Sequence, residues 1–151
     1  MRAINHALTG AIIGLTIDVP VIALPAAFVS HYVLDAIPHH GSAIKNEDNL
    51  RSKNFTLSLY LDALLCGLVV LILAIVQPKN WFQAAVCAFL AALPDMFSFG
   101  RYWAARKHKA YKPNQYSQFA SKIQWFERPI GGVVEMAWLI GATIIFVALL
   151  G

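Results

Sequence analysis

Cysteine is nearly missing: only Cys66 and Cys87 occur in 151 residues, each inside an apolar run where a thiol is usually a small packing residue. Two such residues build neither a disulfide framework nor a cysteine-based zinc site. Charge is scarce as well. Asp, Glu, Lys and Arg make up 13% of the chain against 58% apolar residues, too little polar surface to clothe a soluble domain of this size. A lipid bilayer as partner removes that difficulty. Aromatic and basic residues do not interleave as they do on a nucleic-acid surface, so the net charge of +4 reads as membrane topology rather than a DNA footprint.

Apolar runs are what the chain has in abundance. Five can be marked, at roughly residues 3–17, 20–37, 55–76, 81–97 and 129–150. A full span needs about 20 apolar residues, so the third and fifth fit best. The first two are short and separated only by Asp18-Val19; they make either a tight hairpin of short helices or a re-entrant pair buried in protein. Met1-Arg2 before an apolar run has the look of a secretory signal, but Asn5 and His6 interrupt the run and a second follows at once, so an uncleaved first helix is expected. Gly10 and Gly14 form a small-xxx-small pattern that allows close helix packing.

With all five segments crossing, eleven of the twelve Lys and Arg residues fall on one side, and only Lys79 on the other. The positive-inside rule then puts the N-terminus and the connections 38–54 and 98–128 in the cytoplasm. A re-entrant first pair leaves those sides unchanged. Short outer connections at Asp18-Val19 and Gln77 to Asn80 make two helical hairpins. Before the last segment, Tyr116, Phe119, Ala120, Ile123 and Phe126 recur at helical spacing among Gln, Ser and Lys, which predicts an amphipathic helix on the inner interface or packed on the loops. The expected fold is an all-α, polytopic helical bundle forming a single membrane domain over 1–151, with about five membrane segments and one interfacial helix.

Ionisable groups inside such segments are costly and mark function or paired structural contacts. Here they are Asp35, Asp62, Asp95 and Glu135, with His6 and His31 beside them. At 1.5 Å per residue, all lie within about 10 Å of the basic end of their segments, in one leaflet. His31 and Asp35 are four apart, so on a helix they share a face and can hold one cation. Pro38 ends that helix, letting His39 and His40 fold back toward the same face. Imidazole with carboxylate suits zinc or another first-row divalent ion, though the same spacing serves a plain His-Asp hydrogen bond. The candidate metal ligands are therefore His6, His31, Asp35, His39 and Asp62. Asp95, closing Leu93-Pro94-Asp95, and Glu135 are the candidate catalytic carboxylates.

The stretch Asn5-His6-Ala7-Leu8-Thr9-Gly10, the His31-xxx-Asp35-xx-Pro38-His39 segment and Leu93-Pro94-Asp95 together resemble the small bacterial inner-membrane proteins described as metal-dependent hydrolases. The His-xxx-Asp segment is also similar to a zinc-binding segment of bacterial phospholipase C. Met96-Phe97-Ser98 stands where the inner-membrane family continues into Asp-His. The resemblance implies a bacterial inner-membrane location and a hydrolase acting on a lipid-like or phosphoester substrate at the cytoplasmic leaflet. A divalent ion held by His31 and Asp35, with His6 or His39 as third ligand, would polarise the scissile group and acidify a bound water, whose proton Asp95 or Glu135 would take. The other reading is a non-catalytic membrane scaffold or assembly subunit with structural His and Asp contacts, favoured by the lack of a Ser-His-Asp set or a phosphate-binding glycine loop. An ion or proton pathway would need polar residues in both leaflets.

Overall fold

The structure is a computed structural model that describes residues 1–40, 47–125, 128 and 130–151. Its regular structure is all helical. Each apolar stretch becomes one helix: α1 (Ala3–Thr16), α2 (Pro20–Ala36), then, after the short α3 (Glu47–Arg51), α4 (Lys53–Val76) and α5 (Trp81–Phe97). The second long connection holds α6 (Phe99–Arg106) and α7 (Gln115–Ile123), and α8 (Gly131–Ala148) is last. The expected amphipathic helix is α7; Phe126 lies outside the described residues. Local chemistry sets several of these ends. Pro20 opens α2 where no intrahelical N–H partner is needed, the Ser52 hydroxyl accepts from Phe55 N at 3.1 Å to cap α4, and the Asn114 side chain accepts from Ser117 N at 2.8 Å to cap α7.

Two helices, α4 and α8, are long and apolar enough to cross a membrane, and α5 with α6 would make a third, bent by 41° at their junction. Large side chains such as Leu57, Leu64 and Ile75 on α4, and Val133 and Ile144 on α8, are exposed, as on helices solvated by lipid rather than water. The apolar helices α1 and α2 are shorter, 14 and 17 residues, a rise of about 21 and 26 Å against roughly 30 Å of hydrocarbon.

The short α1 compensates by its place. It packs against α2, α4, α5 and α8 and is buried from Ile4 to Leu8 and again at Gly10, Ala11 and Gly14. Its closest neighbour is α5. A Cβ on Gly10 would overlap the Cys87 carbonyl oxygen and stand 2.7 Å from Ala91 Cβ; one on Gly14 would overlap Ala84. Facing them, α5 presents Ala84, Cys87, Ala88 and Ala91, all buried. Small residues on both helices let the backbones approach, which replaces the hydrophobic drive that lipid removes.

The far end of this pair is fastened by polar bonds between the two short connections. Asp18 accepts from Lys79 Nζ at 2.9 Å and from Asn80 Nδ2 at 2.6 Å, and Gln83 Nε2 donates to the carbonyls of Gly14 and Ile17. The Lys79 and Asn80 hydrogen bonds hold the Asp18 carboxyl below its ordinary range. Gln77 and Asn80 turn the chain with φ of 50° and 64°, a left-handed conformation that asparagine tolerates better than most residues. With this end pinned, the opposite end of α1, where His6 sits, is fixed in depth against α2 and α5.

Gly10→Ala should lower the melting temperature in detergent, because overpacking at such a contact costs about 1–3 kcal/mol. Gly67→Ala and Gly141→Ala, whose added methyls meet nothing within 4 Å, should instead leave it unchanged or raise it, by helix propensity of up to about 1 kcal/mol. Equal melting of all three variants would contradict the close α1–α5 packing.

Candidate metal centre

The N-terminal end of α1 meets the C-terminal ends of α2 and α5. From α1 comes His6, from α2 His31 and Asp35, and from α5 Asp95. One helical turn separates His31 from Asp35, so both face α1. His31 Nδ1 lies 2.9 Å from the Ala91 carbonyl oxygen. A carbonyl only accepts, so Nδ1 carries a proton; Nε2 is then bare in the neutral ring and a donor in the imidazolium. That Nε2 is 3.3 Å from Asp35 Oδ2, while His6 Nε2 is 3.3 Å from Asp35 Oδ1. His6 is 0% exposed, and neither of its ring nitrogens makes a hydrogen bond to a described residue. The two imidazoles stack with centroids 4.0 Å apart at 30°. His6, His31 and Asp95 each offer a ligand atom, all within 4.8 Å of one another.

This geometry has a definite chemical demand. A neutral His31 presents a bare Nε2 to Asp35, acceptor against acceptor, which repels unless a proton or a cation lies between them; His6, with neither ring nitrogen otherwise bonded, meets the other carboxylate oxygen as a donor in one tautomer and as an acceptor in the other. Protonating both rings would stack two imidazolium ions at 4.0 Å in a buried site, where like charges interact strongly. A charge-assisted N–H···O bond is also shorter, about 2.7–2.9 Å. Two ligands of one first-row divalent ion, each about 2.0–2.1 Å from it at a tetrahedral angle, stand about 3.3 Å apart. The His6, His31 and Asp95 ligand atoms, within 4.8 Å of one another, are of the right kind for such an ion and would draw in by about an ångström to hold it. The Ala91 carbonyl supplies what a metal-bound histidine usually has, an acceptor for its second ring N–H.

The Asp35 carboxylate is the most heavily used group at this end. Besides the two histidines, its Oδ1 accepts from the Met1 amino group at 2.6 Å and its Oδ2 from Gln124 Nε2 at 2.9 Å. Asp95 is half-buried, and its carboxylate accepts no hydrogen bond from any described residue. Asp62 on α4 stands apart from the imidazoles and pairs with Arg2, whose Nε is 3.0 Å from Oδ1 and 3.4 Å from Oδ2. Glu135 on α8 accepts the Arg2 backbone N–H at 3.1 Å through Oε1, and its own backbone carbonyl accepts from Asn5 Nδ2 at 3.3 Å. His39 is buried but turned toward its own turn, with Nδ1 2.8 Å from the Ile37 carbonyl oxygen. Its backbone carbonyl accepts from Arg128 N, and Gly131 of α8 lies against its backbone so closely that a Cβ would overlap it. His39 thus docks α8 rather than joining the imidazole pair.

Of the residues singled out in the sequence, His6, His31, Asp35 and Asp95 meet at one place. Asp62 and Glu135 lie beside them on the Arg2 network. Arg2, Met1 and Gln124 carried no sequence signal, because a lone arginine or glutamine reveals its partner only when the helices pack. Asp35, Asp62, Asp95 and Glu135 gather at this end, where the Met1 amino group pairs with Asp35 and the Arg2 guanidinium with Asp62.

Arg2→Met should destabilise the protein by about 1–3 kcal/mol, since it strands the Asp62 carboxylate. Adding Asp62→Leu to Arg2→Met should recover most of that loss, as measured by melting in detergent. A double variant no better than the single one would show that Asp62 serves something other than Arg2.

Compared with known proteins, the chain matches no family model, no curated protein and no solved structure.

Proposed function

We propose that the protein is a membrane-embedded, metal-dependent hydrolase acting on a lipid-like or phosphoester substrate at the cytoplasmic leaflet. The observation that carries this reading is the convergence of His6, His31 and Asp95 beside Asp35, with His31 Nδ1 held by the Ala91 carbonyl and Nε2 directed at the carboxylate. In the same reading the chain sits in a bacterial inner membrane and all five apolar helices serve as membrane segments, α1 and α2 as a short inner pair. The end bearing the histidines faces the cytoplasm, because Arg2, Arg51, Lys53 and the basic run from Arg101 to Lys112 belong to that end and only Lys79 to the other.

A divalent ion, zinc by the donor set, would supply Lewis acidity and an acidified water. His6, His31 and Asp95 are the residues that would hold it. Asp35 sets both imidazoles, and the Ala91 carbonyl fixes the orientation of His31. Glu135 is assigned the proton transfer: one of its oxygens is held by a single backbone amide, and the other accepts no hydrogen bond from a described residue. Arg2, 42% exposed at the side chain and anchored through Nε, keeps its two terminal amino groups for an anionic substrate.

Asp62 and Arg2 also favour a second reading, a non-catalytic scaffold in which these polar groups only join helices, since such pairing is structural by nature. Metal analysis separates the two. The purified protein should carry about one divalent ion per chain, lost on His6→Ala or His31→Ala and retained on Asp62→Asn with Arg2→Met. Glu135→Gln should keep the ion and lose about 10²–10⁴-fold in turnover of a short-chain phospholipid. A wild-type protein without stoichiometric metal would leave the scaffold reading standing.

A further inference from the structure

None of the residues of α7 is buried, and its packing with the bundle is confined to α2 and to a few side chains. Those few land around the metal centre. Gln124, the residue that ends the helix, donates from Nε2 to Asp35 Oδ2 at 2.9 Å. Tyr116 donates its hydroxyl to the Pro94 carbonyl at 3.1 Å, the peptide that leads into Asp95. Phe119 packs edge-on to Tyr32, centroids 5.6 Å apart, and Tyr32 in turn lies 5.2 Å from the His31 ring. Tyr116 also meets Phe97 at 5.2 Å. Burial in this contact, with the Tyr32 hydroxyl nearby, pushes the Tyr116 phenol above the usual tyrosine range.

A helix with no buried residue of its own, attached among the described residues by a few side-chain hydrogen bonds and aromatic contacts, belongs to the low-stability end of the structure. Gln124 is more than an attachment. Asp35 Oδ2 is the oxygen opposite His31 Nε2, and a neutral amide donor there stabilises the carboxylate and fixes its rotation without competing for a ligand position. We propose that α7 is a lid over the His6, His31 and Asp95 centre and that Gln124 is a positioning residue, whose bond to Asp35 forms when the lid is shut and holds the two imidazoles in register. This rests on the reading of those three residues as metal ligands. Opening the lid breaks the Gln124 bond and uncovers the site; closing it shields the site from water.

The test uses the full-length protein loaded with cobalt(II), following both the visible absorption of the ion and the rate at which an excess of chelator removes it. Gln124→Ala and Tyr116→Phe should each speed removal by about tenfold or more, the usual scale for loss of a partner behind the ligands. Gln124→Ala should also shift the cobalt bands. Gln124→Lys, which keeps a donor able to reach Asp35, should restore slow removal; a residue that merely stabilises the fold would show no such rescue at equal melting temperature. Removal rates and bands equal to wild type in both Gln124→Ala and Tyr116→Phe would overturn the lid while leaving the metal centre intact. Failure of the wild type to take up cobalt would overturn the metal reading itself, and the lid with it.

Discussion

One buried carboxylate organises the polar end of this bundle. Asp35 is 3% exposed and is met by groups from α1, α2, the segment before α1 and the end of α7. A carboxylate taken out of water costs several kcal/mol unless it is paired and hydrogen-bonded, so each of these contacts is a condition for keeping Asp35 where it is. The converse also holds. The histidines, the Met1 amino group and Gln124 have their positions because Asp35 is there to receive them, and the arrangement either stands as a set or fails as one.

What lets His6 reach that carboxylate is packing rather than charge. Gly10 and Gly14 bring α1 onto the alanine face of α5 closely enough that no side chain fits between, and the hydrogen bonds around Asp18 hold the other end of the pair in register. A helix of only 14 residues can occupy the centre of the bundle because α2, α4, α5 and α8 pack around it. The packing of α2 on α5 puts the Ala91 carbonyl against His31 Nδ1, so helix packing places a proton on Nδ1 and turns Nε2 toward the site.

The sequence made the helices readable because each apolar stretch is bounded by proline, charge or a polar turn: Pro20 and the Gln77 to Asn80 connection begin or end elements where expected, while α4 starts at Lys53 on a Ser52 cap, two residues ahead of the expected residue 55. That α3 and α6 are helical was not readable, since five and eight residues are too few to display a period. The one-sided distribution of His6, His31, Asp35 and Asp95 was visible as depth. Which of them meet was not. The His31 and Asp35 pair follows from spacing alone, but Asp35 to Gln124 spans 89 residues and Arg2 to Asp62 spans 60, and only helix packing decides such partners. His39 shows the opposite case: its sequence position suggested a ligand, while its buried backbone is used to seat Gly131.

The central claim is that His6, His31 and Asp95 are ligands of one ion, and that the 3.3 Å separations from Asp35 are not proton-shared hydrogen bonds. X-ray absorption at the metal edge of the purified protein measures this directly. The account predicts an ion with two imidazole nitrogens and carboxylate oxygen at about 2.0–2.2 Å. An edge with no histidine scattering, together with nitrogen NMR showing His31 as an imidazolium hydrogen-bonded to Asp35, would contradict it.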